Sequence, residues 1–195
     1  MSPGLRAAAL VVGLLLAGCV RQPNGPPPDP RQFVLGETTE AQVLARLGEP
    51  QQRSERVFPL SASKDHPAGR IVTASLTYGA FVIRGALLEG GTTFAFRDGL
   101  LNGYQIGVNN QPGFGGFDFG KVRALLADKA TTRSDVVAIL GDPKSRVLIG
   151  SSESDRYVFN VPVGFGTNER IIKTVAVIYD RGGHVISYDL NETRR

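Results

Sequence analysis

Ala7 to Leu16 is an unbroken run of apolar and small residues, well short of the roughly 20 residues that a membrane-spanning helix needs. Behind it the pattern vanishes, because Val20 to Arg31 holds five prolines in twelve residues. Proline-dense sequence favours extended polyproline II, which rises about 3.1 Å per residue and packs into neither helix nor sheet. From there the period becomes helical. Val43, Leu44 and Leu47 fall at i, i+1 and i+4, as do Val136, Val137 and Leu140, and each trio forms one apolar stripe. Lys121 to Ala127 predicts another helix ahead of the second stripe; its counterpart ahead of the first, near Arg31 to Leu35, is shorter. Strands are predicted after each stripe. In the first half they are Ile71 to Tyr78, the mixed run Phe81 to Leu88, Thr92 to Phe96 and Leu100 to Val108. In the second half they are Arg156 to Val161, Ile171 to Tyr179 and His184 to Leu190. Arg97-Asp98-Gly99 and Asp180-Arg181-Gly182-Gly183 separate the last two runs of each half and read as closing hairpins.

The two helical stripes belong to one repeated motif. Residues 38–50 and 131–143 align at a constant offset of 93 without a gap, and seven of the thirteen positions are identical. Thr39 and Thr132 are placed to cap a helix, with Gln42 and Asp135 three residues on to reach back. Gly48 and Gly141 suit the left-handed conformation that ends a helix, and Pro50 and Pro143 forbid its continuation. Helices followed by strands, twice, predict an α+β fold. The expected architecture is two tandem repeats, each a helix pair packed on a three- to four-stranded antiparallel sheet.

Composition changes this picture mainly at the N-terminus. Arg6, the apolar run and the small residues Leu16-Ala17-Gly18 before Cys19 have the layout of a secretory signal peptide. The cysteine placed directly after Leu-Ala-Gly resembles the lipobox of bacterial lipoproteins. The resemblance implies cleavage after residue 18, acylation of Cys19 and stable anchoring, since two or more acyl chains hold where one does not. Val20, rather than an aspartate, follows the cysteine, which implies the outer membrane and its periplasmic face. The expected organisation is then a signal peptide over 1–18, lipidated Cys19 with a proline-rich tether to 31, a first repeat over 32–110, a Gly/Phe-rich linker over 111–120, a second repeat over 121–191 and a tail over 192–195. Removing 18 of 195 residues leaves 177, enough for one medium domain or two small ones. Cys19 is the only cysteine, so no disulfide staples the body. A formal net charge of +4 is too weak and too evenly spread to argue for nucleic acid.

The repeated motif itself carries a second resemblance. Gly36, Thr38, Thr39, Val43, Leu47, Gly48 and Pro50 match the pattern of the SmpA/OmlA, or BamE-like, family. Thr131, Thr132, Val136, Leu140, Gly141 and Pro143 match it again, with Lys129 where the family has glycine. That resemblance implies an outer-membrane lipoprotein associated with assembly of β-barrel proteins. The doubled arrangement is similar also to the architecture of the β-lactamase inhibitor protein.

Candidate chemistry is sparse. His66 and His184 stand apart in polar loop sequence, so no cluster of three or four metal ligands is in view. Gly115 to Lys121 spells Gly-x-x-x-x-Gly-Lys, yet Val122 stands where a phosphate-binding loop needs Ser or Thr. Asn191-Glu192-Thr193 matches a glycosylation sequon that a bacterial lipoprotein has no reason to use. No catalytic, cofactor-binding or metal-binding residues are expected. Phe114, Phe117 and Phe119 in the linker, and Phe165 in a second glycine-aromatic loop, are the candidate partner contacts. They either staple the two repeats together or form an exposed apolar surface that a partner covers. The expected function is a non-enzymatic protein-interaction module in envelope or outer-membrane protein assembly or maintenance. The alternative is a periplasmic binding protein that inhibits a hydrolase of the β-lactamase type.

Overall fold

The structure is a computed structural model that describes residues 27–62, 68–79, 81–83, 86–88, 91–107, 118–163 and 169–195. The expected signal peptide, Cys19 and most of the expected tether lie outside these residues.

Eight strands form one antiparallel sheet. They are β1 (Gln52–Leu60), β2 (Gly69–Tyr78), β5 (Thr92–Arg97) and β6 (Leu100–Ile106), then β7 (Ser145–Ile149), β8 (Ser152–Pro162), β9 (Arg170–Tyr179) and β10 (Val185–Arg194), lying side by side in that order. A separate hairpin pairs β3 (Phe81–Ile83) with β4 (Ala86–Leu88). The described residues contain three α-helices: α1 (Glu40–Leu47), α2 (Phe119–Ala127) and α3 (Arg133–Leu140).

This overturns the expectation of two tandem repeats, each a helix pair on its own small sheet. Two physical causes are visible. A four-stranded sheet ending at β6 and another starting at β7 would each expose a row of unpaired backbone groups. Pairing Gly103 with Val147, Tyr104 with Arg146 and Gln105 with Ser145 satisfies both rows and makes the sheet continuous. The helix pair also fails in the first half. Pro30–Gln32 forms only a 3-10 turn, and Gly36 follows at φ 76°, so the segment is too short and too interrupted to nucleate an α-helix.

The two copies of the repeated motif share their local structure. Thr39 and Thr132 each cap a helix as half of a complete capping box, with Gln42 and Asp135 as the reciprocal partners. Each helix start is also sewn to the closing hairpin of its half, where Glu40 N donates to Gly99 O at 3.1 Å and Arg133 N to Gly183 O at 2.8 Å. Gly48 and Gly141 end their helices at φ 76° with ψ −161° and −167°. That region is open essentially to glycine alone, and is stricter than the left-handed conformation expected there. Replacing either cap, Thr39→Ala or Thr132→Ala, is expected to cost about 1 kcal/mol. For a chain of this size that lowers the midpoint of thermal unfolding by about 2–4 °C. A midpoint unchanged within error for both variants would contradict the role of the caps.

All three helices pack on one face of the sheet. Val43 joins Leu76, Phe94, Phe96 and Leu101 in a first buried cluster, while Val122, Leu126, Val136 and Leu140 join Tyr157, Val175, Val177 and Tyr179 in a second. Leu148 of β7 packs against the first cluster, so the two cores meet across the β6–β7 seam.

The part of the tether that is described, Pro27 to Arg31, lies against this body. Thr92 Oγ1 donates to Pro28 O at 2.8 Å, and a Cβ added at Gly79 would meet Pro27 Cα at 3.1 Å. Arg31 bonds Asp29 and reaches Asp142, beyond the end of α3, at 2.7 Å. Its hydrogen bonds hold the Asp29 carboxyl below the usual range.

Candidate protein-binding face

Because side chains alternate along each strand, the helix-covered face has an opposite that the described residues leave without a helix. Ser54, Arg56, Thr73, Ser75, Thr77, Thr93, Ala95 and Arg97 occupy it in the first half, out of phase with the buried Leu76 and Phe94. Short side chains make a low floor there. Ser54 and Ser75 hydroxyls lie 2.8 Å apart and those of Thr77 and Thr93 3.1 Å apart, a cross-strand ladder of hydrogen bonds.

Among the described residues two troughs hollow this face. One, of about 530 Å³, runs over β1, β2, β5 and β6 between Arg56 and Arg97. The register places Arg56 and Arg97 on either side of Thr73, one strand away on each flank. A bulge between Ala95 and Phe96 leaves Asn102 of β6 unpaired and lining this trough. The second trough, of about 420 Å³, lies over β8, β9 and β10 and is lined by Arg156, Thr174, Ala176, Asp189 and Arg195 among others.

Charges on the covered face are arranged differently. Asp155 is fully buried and accepts from Arg146 Nε at 2.6 Å and Nη2 at 3.0 Å. Arg133 Nε lies 3.2 Å from the same carboxylate, and its Nη2 lies 2.7 Å from Glu153 Oε2. The Arg133 guanidinium also stands 4.4 Å from the centre of the Tyr179 ring. Burial, followed by the Asp155 charge, pushes the Tyr179 hydroxyl up to about 12. Both carboxylates are thus committed to arginines, which makes this cluster a clamp between α3 and the sheet.

Of the expected contact residues, Phe119 is the one that the described residues include. Phe119 opens α2, packs against the second core cluster and carries Lys173 Nζ 4.9 Å from its ring centre, so it faces the covered side. Phe114, Phe117, Phe165 and His66 lie outside the described residues, as does Cys19. His184 sits at the last hairpin, where its backbone N–H donates to Asp180 Oδ1 at 2.9 Å. Among the described residues no group of three or more His, Cys, Asp or Glu could hold a metal ion, and no helix is long and apolar enough to cross a membrane. Gly120 and Lys121 lie in the first turn of α2, where the Asp118 carboxylate accepts from Gly120 N at 2.7 Å. A carboxylate therefore already occupies the place of a phosphate. The trough residues escaped the sequence reading, although their alternation with apolar neighbours, as in Thr73-Ala74-Ser75-Leu76, was there to be seen.

Comparisons with known proteins add little. No protein-family model matches the chain, and no curated protein is similar to it in sequence. Among solved structures the chain is similar to one from Streptococcus mutans, named as a putative beta-lactamase inhibitor protein. The two share 15% identity at a TM-score of 0.44, over 79% of this chain and 82% of that one.

Proposed function

We propose that this chain is a lipid-anchored binding module that works by contact, receiving part of a partner protein on the open face of its sheet. The observation that carries this reading is the hollowed face itself, which has a floor of short hydroxyl side chains and arginines that pair with no acidic side chain among the described residues. Leu16-Ala17-Gly18-Cys19 supports an anchor in the outer membrane with the body in the periplasm, and the SmpA/OmlA-like motif supports a setting in envelope assembly or maintenance. Anchoring raises the local concentration of the face near membrane partners, so modest affinity suffices.

Inhibition of a hydrolase is the second reading. A hollowed sheet suits it, since a protruding rim of an enzyme would fit there. The aromatic richness it also calls for is weak, with Phe58, 48% exposed, as the open-face aromatic of β1.

Photo-crosslinking in intact cells tests the proposal. A crosslinking residue at Thr73, in the trough, is expected to capture a protein, and one at Ile139, exposed on α3, is not. Cys19→Ala is expected to release the chain from the membrane fraction and to lower the Thr73 adduct. Equal capture at both positions, or none at Thr73, would overturn the reading.

A further inference from the structure

The two troughs differ in charge, and that difference points to the partner's chemistry. Arg56 and Arg97 flank Thr73 with one strand spacing on each side, so their Cα atoms stand about 10 Å apart. Both side chains are exposed, and neither makes an ion pair with a described residue. Among the described residues no acidic side chain lines this trough. Asp98, next in sequence to Arg97, belongs to the hairpin turn, where its Oδ1 accepts from Val72 N at 3.0 Å. The second trough, by contrast, does have an acidic residue in its lining: Asp189 stands across Ala176 from Arg156, with Arg195 in the same trough.

We infer that the first trough seats an acidic segment of the partner protein, with a carboxylate held between the Arg56 and Arg97 guanidiniums. Two forked donors, one on each flank of Thr73, suit the paired oxygens of a carboxylate. The Asn102 amide, brought in by the bulge, and the Ser75 hydroxyl supply neutral hydrogen bonds beside it. A protein loop fits better than a membrane, because the arginines border a hollow in the sheet that a flat bilayer cannot enter. It fits better than nucleic acid too, since among the described residues the aromatic that lines the trough is Phe96, which is buried and offers no stacking platform.

This inference rests on the binding-face reading and deepens it. Its test uses the full chain in non-ionic detergent and a Gly-Ser peptide carrying two adjacent glutamates and an uncharged fluorophore. The peptide is expected to bind, to weaken with added salt, and to lose about tenfold in affinity against the double variant Arg56→Gln/Arg97→Gln. Arg156→Gln is expected to leave binding within about twofold, because Arg156 lines the second trough and not the first. The glutamine version of the peptide is expected not to bind. Equal binding of the two peptides, or of wild type and the double variant, would overturn the inference. So would full competition by inorganic phosphate, by a short DNA duplex or by phosphatidylglycerol vesicles at equal charge concentration. If Thr73 captures a protein in cells while the acidic peptide fails, the binding face stands and the acidic partner falls; if Thr73 captures nothing, the face itself falls.

Discussion

Asp155→Ala should lower the stability of this protein by about 3–5 kcal/mol, the usual cost of removing one partner from a buried ion pair. The carboxylate is fully buried and serves two arginines at once, Arg146 and Arg133, whose side chains are themselves only 20% and 24% exposed. Without it two guanidiniums face each other in a region of low dielectric with Glu153 alone to balance them. The damage is not confined to β8. Arg146 stands on β7 opposite Tyr104 of β6, so the clamp holds the strand by which the two halves of the sheet are joined. A loss of this size is a large share of the 5–15 kcal/mol typical of a folded domain. In chemical denaturation the transition should move to much lower denaturant with little change in slope. Replacing both charges by apolar residues, Asp155→Leu with Arg146→Met, should recover much of the loss, because the penalty comes from the orphaned charge and not from a missing attraction. A midpoint for Asp155→Ala near that of wild type would show that solvent reaches the cluster and that the clamp is unimportant. The same measurement run against pH carries a sign of its own. The Tyr179 hydroxyl titrates near 12 when folded and near 10 when unfolded. Its contribution to stability is therefore fully present below about pH 10 and is lost as pH rises toward 12.

Gly103→Ala is the second large effect, and it acts by geometry alone. A Cβ at that position would stand 2.7 Å from Arg146 O, 3.2 Å from Val147 Cα and 3.3 Å from Val147 Cβ. The two closest of these are backbone atoms of the paired strand, and they cannot swing aside as the tip of a long side chain could. Either β6 and β7 separate or their register breaks, at an expected cost of about 1–3 kcal/mol, in the range of other overpacking changes. Gly103→Val should cost more. Gly69→Ala is the matched control, because a Cβ there meets nothing nearer than Leu60 Cδ1 at 4.0 Å. Hydrogen exchange locates the effect: amides of β6 and β7 should lose protection in Gly103→Ala while those of β2 and β9 keep theirs. Uniform protection in that variant would mean that the seam tolerates a side chain and that another contact joins the halves.

Legibility of the fold followed the range of the interactions involved. The caps at Thr39 and Thr132 and the stops at Gly48 and Gly141 depend on partners within three or four residues, so the order of residues carries them in full. The hairpin at Asp98-Gly99, with φ 52° and 81°, was equally readable, because both positions need the positive φ that Asp and Gly tolerate. β1 was not. Its nine residues are all exposed, and Pro59 interrupts the run, as an edge strand permits and a central strand does not. β7 has only five residues and was missed for want of a period. Without these two strands the residue pattern yields too few neighbours to join the halves into one sheet.

The candidate site was less legible than the fold. Arg56 and Arg97 are separated by 41 positions, and only the pairing of β2 with both β1 and β5 puts them around Thr73. Phe119 drew attention by its company of glycines, yet it serves the covered face.

By itself, then, the order of residues determined the two capped helices, their glycine stops and the closing hairpins, all of which rest on neighbours along the chain. Tertiary structure alone decided that eight strands make a single sheet, which face the helices cover, and which arginines stand together over the open one. Those outcomes depend on edge pairing and close backbone approach between residues far apart in the chain, as between Gly103 and Val147, and no local pattern encodes such a meeting.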